Sequence, residues 1–218
     1  RLHLEICVPK SPGFSSSFGQ FLSRYSRGRI LSADYRETGA LEAIQSVSMH
    51  CCRLAVIRFP DQYENSLMTL LKQKEIAFEL LQRSEAQIIM SERHPLASAS
   101  ALTEDMLEDF PEILCEDASL ASHFNDPSPE GTGRGFIRVQ EHGSLLDLLA
   151  RISGAFAFLP PLPAPLLSER HLISRPFLGP PRKMTDLLIY PEDFHPTRGE
   201  EQFLKQVRLD ISRIRREG

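Results

Sequence analysis

The first sixty residues alternate between two hydrophobic periods, and that alternation restricts the fold more than any other feature. Leu2, Leu4, Ile6 and Val8 recur every second residue, the period of a half-buried strand. Phe18, Phe21, Leu22 and Tyr25 follow at helical spacing. Ile30 to Tyr35 reads as a second strand, Ala40 to Met49 as an amphipathic helix with Leu41, Ile44 and Val47 inward, and Leu54 to Ile57 as a short buried strand. Each strand-to-strand connection is long enough for a helical crossover, so the sheet should be parallel. Ligands of open parallel sheets sit beyond the carboxyl ends of the strands. Here those ends are Lys10–Ser17, Arg36–Gly39 and Arg58–Pro60.

The second constraint is the stretch from Ile76 to Ala97. Ile76, Phe78 and Leu80 alternate with Ala77 and Glu79. A polar break at Gln82 to Glu85 precedes a second apolar run, Ile88-Ile89-Met90, and His94-Pro95 then turns the chain away. Two strands in series with little turn chemistry between them suggest a chain passing from one lobe into another.

The plan then repeats. Thr103 is a plausible N-cap for a short helix, and Pro111 to Cys115 reads as a strand closed by Glu116 to Ser119. Asn125 to Gly135 reads as a surface loop. Phe136 to Val139 is a strand, and Ser144 reads as the cap of a helix with Leu145, Leu148, Leu149 and Ile152 on one stripe, ended by Gly154. Ala155 to Leu159 is a buried strand. From Leu172 the chain reads as returning to the first lobe, with a strand at Leu187 to Tyr190 and a final helix from about Thr197 carrying Phe203, Val207, Ile211 and Ile214 on one face. Lys205, Arg208, Arg213, Arg215 and Arg216 make its other faces basic, which suits a helix C-terminus.

Composition narrows the function. The chain has 218 residues, 41% of them hydrophobic, enough to bury a core. The formal net charge of −4 argues against a nucleic-acid-binding domain within these residues. No apolar run approaches the roughly 18–20 residues of a membrane span. Of four cysteines, Cys7 and Cys115 fall in apparent strands, and Cys51-Cys52 lack the spacing of a zinc site. A reducing, cytoplasmic setting is the expectation, with no cofactor and no metal. The chain opens on Arg1 rather than a methionine, and an N-terminal portion is expected before it. No Gly-x-Ser-x-Gly, His-Glu-x-x-His, glycine-rich phosphate loop or metal quartet is present, so the chain reads as a non-enzyme.

Four landmarks in order resemble the effector-binding domain of LysR-type transcriptional regulators over nearly the whole chain. They are the opening strand, polar loop and aromatic helix; Thr38-Gly39 with its helix and the strand Arg53-Leu54-Ala55-Val56-Ile57; His94-Pro95-Leu96-Ala97; and the segment Leu148 to Pro160. Two departures stand out: Arg53 replaces the usual aspartate, and Ala155-Phe156 replaces a glycine. The resemblance implies an α/β, two-lobed fold like type 2 periplasmic binding proteins, each lobe a mostly parallel sheet flanked by helices, joined by two crossover segments. Lobe I would be 1–80 with 172–218, and lobe II 81–171. It also implies a small effector in the cleft between lobes, a homodimer or homotetramer, and a helix-turn-helix DNA-binding domain upstream of this chain.

The family's cleft positions correspond to Lys10, Pro12, Ser15, Ser16, Thr38 and Arg58 in lobe I, and to Ala118, Ser119, His142 and Ser144 in lobe II. Arg58 and the helix N-termini would favour an anionic effector. Several of these residues read two ways. A serine of the Ser15–Ser17 cluster serves as a helix cap or contacts ligand; Arg58 is a solvated strand-end arginine or an anion site; His142 is a loop histidine or a ligand contact. A solute-binding protein of a transport system is the alternative on the same fold.

Overall fold

In a computed structural model of the chain, residues 2–25, 31–115, 117–125 and 135–217 are described. The expected loop at Asn125 to Gly135 falls mostly outside them. The chain divides into two compact units, Arg1–Arg83 with Met184–Gly218, and Ser84–Lys183.

Unit 1 opens with β1 (Leu2–Pro9), α1 (Pro12–Tyr25), β2 (Leu31–Thr38), α2 (Ala40–Ser48), β3 (Ala55–Pro60), a single 3-10 turn, α3 (Glu64–Gln73) and β4 (Ile76–Glu85). Unit 2 follows with β5 (Gln87–Ser91), α4 (Glu104–Leu107), β6 (Glu112–Leu114), α5 (Ala118–His123), β7 (Phe136–Arg138), α6 (His142–Arg151), β8 (Phe156–Leu159), α7 (Ala164–Glu169) and β9 (Leu172–Arg175). The chain returns to unit 1 through β10 (Lys183–Pro191) and ends in α8 (Arg198–Glu217).

Each unit is one five-stranded sheet, ordered β2-β1-β3-β10-β4 and β7-β6-β8-β5-β9. Strands joined by helical crossovers run parallel, as the sequence required: β1 with β2 and β3, and β6 with β7 and β8. The strands that carry the chain between units enter the other way. β10 is antiparallel to β3, and β5 is antiparallel to β8 and β9. Both sheets are therefore mixed.

The return to unit 1 comes later than the sequence suggested. Leu172 to Arg175 pairs along β5, so those residues complete the second sheet, and the chain crosses back only at Lys183–Met184. The outward crossing falls at Arg83–Ser84, close to where it was expected.

Burial follows from strand position. Ile88, Ile89 and Met90 are all fully buried because β5 is an inner strand covered on both faces. Ile89 joins Leu145, Leu146 and Leu149 of α6 on one face; Ile88 and Met90 meet Leu102, Leu107 and Phe156 on the other. Phe156, which replaces a small residue of the family pattern, is thus a core side chain. In unit 1, Leu4, Ile6 and Val8 pack with Phe14 and Phe21 of α1 and with Phe203, Leu204, Val207 and Ile211 of α8. β4 lies at a sheet edge, and its Phe78 and Leu80 stay exposed. Among the described residues no helix is long and apolar enough to cross a membrane.

Candidate functional site

The carboxyl ends of β1, β2 and β3 bring the lobe I candidates together. Pro9 and Thr38 are opposite each other in the β1–β2 register, and Lys10 follows, half-buried, at the end of β1. α1 then begins at Pro12, whose fixed φ and missing N–H suit the first helical position. The serines therefore lie inside the helix and do not cap it. Ser15 donates its hydroxyl back to the Pro12 carbonyl at 2.9 Å, and Ser16 is half-buried one position on. The first N–H groups of a helix have no partner within it, so this end of α1 presents donors and a positive dipole.

Thr38 is 5% exposed, and its hydroxyl makes no hydrogen bond. A buried hydroxyl without a partner forfeits about 1–3 kcal/mol. It ends β2 immediately before Gly39, which precedes α2.

Arg58 is differently employed from the sequence expectation. Its Nε and Nη2 donate to the two carboxylate oxygens of Asp186 at 2.6 and 2.7 Å, and its Nη1 donates to the Ser11 hydroxyl at 2.7 Å. The guanidinium also lies 5.6 Å from the centre of the Phe14 ring. Gln82 gives Asp186 a third hydrogen bond at 2.6 Å. A bidentate arginine–carboxylate pair is neutral as a unit, so Arg58 supplies no uncompensated charge for an anion. Its role is to tie β3 to the start of α1 and, through Asp186, to β10 and β4.

Ser11, Gln82 and Asp186 were not singled out from the sequence. Asp186 carried a usable signal: a lone carboxylate between Thr185 and Leu187 in an otherwise apolar strand must find a partner when buried.

Unit 2 gathers its candidates on two adjacent strands. α5 follows β6 and α6 follows β7, and the Val139 N–H donates to the Leu114 carbonyl at 2.9 Å where those strands end. Ala118 and Ser119 open α5. Asp117 caps that helix by accepting from the Ser119 N–H at 3.2 Å and from the Ser119 hydroxyl. His142, half-buried, is the first residue of α6. Glu141, in extended conformation, occupies the cap position there, so Ser144 is an exposed first-turn residue and not the cap.

His94 is another residue whose work the sequence left open. Its Nδ1 accepts from the Leu96 N–H at 3.0 Å, and its ring lies 4.6 Å from that of Phe110. The His-Pro-Leu-Ala landmark is thus a buried turn lock. Arg53 has an equally local task. It pairs with Glu200 at 3.4 Å and donates to the His195 carbonyl at 3.0 Å, securing the approach to α8. Among the described residues there is no group of three or more side chains suited to hold a metal ion.

No protein-family model matches the chain, and no curated protein matches it in sequence. Solved structures do. The regulatory domain of MetR, a LysR family regulator from N. meningitidis, superposes with a TM-score of 0.61 over 95% of this chain and 93% of its own, at 17% identity. The chain has the fold of a LysR-family regulatory domain. The effector-binding domain of QuiR, solved in complex with shikimate, is similar: TM-score 0.58, 14% identity, and 95% of each chain covered. At these identities the likeness is one of fold. Within the LysR-type fold, the candidate residues of each unit sit at its parallel strand ends, where α/β sheets place their ligands.

Proposed function

We propose that this chain is the effector-sensing domain of a LysR-type transcriptional regulator. It binds a small molecule and passes that signal to a helix-turn-helix DNA-binding domain, within a cytoplasmic homodimer or homotetramer. The observation that carries the reading is Thr38: a buried hydroxyl with no hydrogen bond, at a strand end beside the start of α1. A ligand oxygen there would satisfy a group that the chain leaves without a partner. Because Arg58 is neutralised by Asp186, any negative charge on the ligand is met by Lys10 and the N-terminus of α1. The QuiR complex suggests the first probe, since shikimate offers both hydroxyls and a carboxylate.

The test is a thermal-shift titration with shikimate and a panel of small mono- and dicarboxylates. A binder raises Tm with saturable dependence on concentration. Thr38→Val should abolish that shift while leaving the free domain as stable or about 1 kcal/mol more so, since it removes an unsatisfied polar group. A panel without a single binder, or a Thr38→Val variant that keeps the full shift, would overturn the assignment.

A further inference from the structure

A pair of thiols in unit 1 lies outside the effector reading. Cys7 belongs to β1, and Cys52 to the turn between α2 and β3; both are fully buried. The turn is held in place. His50 adopts a φ of 55°, and the N–H groups of Cys51 and Cys52 both donate to the Ser46 carbonyl, at 2.9 and 3.1 Å. Cys51 is left exposed, and Cys52 is directed inward. One acceptor then joins the two buried cysteines: the Leu54 carbonyl takes the Cys7 N–H at 3.2 Å and the Cys52 thiol at 3.0 Å. The thiols also hydrogen-bond each other.

Arg36 faces Cys7 across the β1–β2 register and hydrogen-bonds the Cys52 sulfur. It also reaches Glu5 at 3.3 Å and the Cys51 carbonyl at 3.4 Å, with about half of its side chain in solvent. Arg36 and Glu5 are the charged groups that face the pair. The hydrogen bond with Cys7 holds Cys52 below the ordinary thiol range, against the opposing effect of burial. The same bond, and then burial, pushes Cys7 up. One sulfur is thus set as nucleophile and the other as proton-bearing partner, the division of labour that a dithiol needs.

We propose that Cys7 and Cys52 form a redox-active dithiol that a hydroperoxide converts to an intramolecular disulfide. The Cys52 thiolate attacks a peroxide oxygen; the O–O bond breaks, Cys52 becomes a sulfenic acid, and the departing oxygen leaves as hydroxide or alkoxide and takes up a proton. The Cys7 sulfur then attacks that of Cys52. The S–S bond forms, and the sulfenic hydroxyl leaves with the Cys7 proton as water. The two thiols lose two electrons and the peroxide bond accepts them. Arg36, half in solvent, is the side chain that moves to admit the oxidant. The site stands on unit 1 geometry alone, so its failure leaves the effector reading untouched.

The experiment treats the reduced chain with hydrogen peroxide, blocks remaining thiols with N-ethylmaleimide under denaturing conditions, and maps the peptides by mass. The expected product is a Cys7–Cys52 linked peptide within one chain, reversed by dithiothreitol and formed equally by Cys51→Ser. Cys7→Ser should stop at a sulfenic acid on Cys52 that dimedone traps. The mapping of the unsubstituted chain does not depend on how either variant folds. Cys7 and Cys52 staying free while Cys51 or Cys115 oxidises, or linkages running through Cys51, would overturn the proposal.

Discussion

Asp186 is 1% exposed and accepts from two nitrogens of Arg58 and one of Gln82. A charge so placed is tolerable only while its partners remain. Arg58→Ala should therefore act through stability and not selectively on ligand affinity, with a loss of about 3–5 kcal/mol in urea unfolding, as expected when one member of a buried pair is removed. A variant of near-native stability would show that the pair is dispensable. His94 gives a pH dependence. Burial holds its pKa below the ordinary value, and the Gly154 carbonyl opposes that only in part. The folded state thus binds fewer protons than the unfolded state once pH falls below the ordinary histidine pKa of about 6.5. Stability from this residue is level above that pH and declines below it. Tm measured between pH 7.5 and 5 should fall more steeply for the unsubstituted chain than for His94→Asn, which retains an acceptor for the Leu96 N–H; parallel curves would refute the account. At this scale the sequence was partly legible. It located the strand ends that hold Lys10, Pro12 and Thr38, because strand period and crossover length determine them. It did not disclose that Arg58 is committed to Asp186, because the two lie far apart in the chain and only the β3–β10 register opposes them.

Helix starts decide several of the differences at the scale of elements. Pro12 at the head of α1 was the informative residue, and the serines after it resembled a cap without being one. At α6 the backbone turns at Glu141, two residues before the first glycine, so that Ser144 came too late. α8 is the opposite case, because its start is written as Thr-x-x-Glu. The Thr197 N–H donates to Glu200 at 2.6 Å, the Glu200 N–H returns a bond to the Thr197 hydroxyl at 3.3 Å, and Arg53 pairs with the same carboxylate. Glu200→Ala should cost about 1–2 kcal/mol by chemical denaturation, and Glu200→Gln less, since the amide keeps an acceptor while losing the ion pair. Equal losses for the two would place the effect in the charge and not in the cap. β9 was assigned to the wrong sheet because Leu172 to Arg175 has no local feature that names its partner; β5 pairing is a tertiary choice.

For the molecule as a whole, the decisive fact is that unit 2 is one continuous segment while unit 1 is assembled from both ends of the chain. The core clusters of unit 2 draw only on residues between Ile88 and Phe177. Residues 84–183 expressed alone should fold, with a cooperative thermal transition by circular dichroism. Residues 1–83 alone should not, because they lack Leu188, Phe203, Leu204, Val207 and Ile211. A cooperative transition in the second fragment, or none in the first, would contradict this division. The alternating periods of the opening residues made the plan of each unit readable, and the apolar run after Gln82 marked the outward crossing. The return crossing was less legible, since β9 and β10 are both short apolar strands separated by a proline-rich turn. The placement of β10 between β3 and β4 has a consequence for biosynthesis. As a ribosome extrudes the chain, the inserted segment is complete and free to fold while the earlier strands still wait for the one that belongs in their middle. Until residues past Pro191 emerge, β3 and β4 have unsatisfied edges, and that interval is when the nascent chain is most exposed to aggregation.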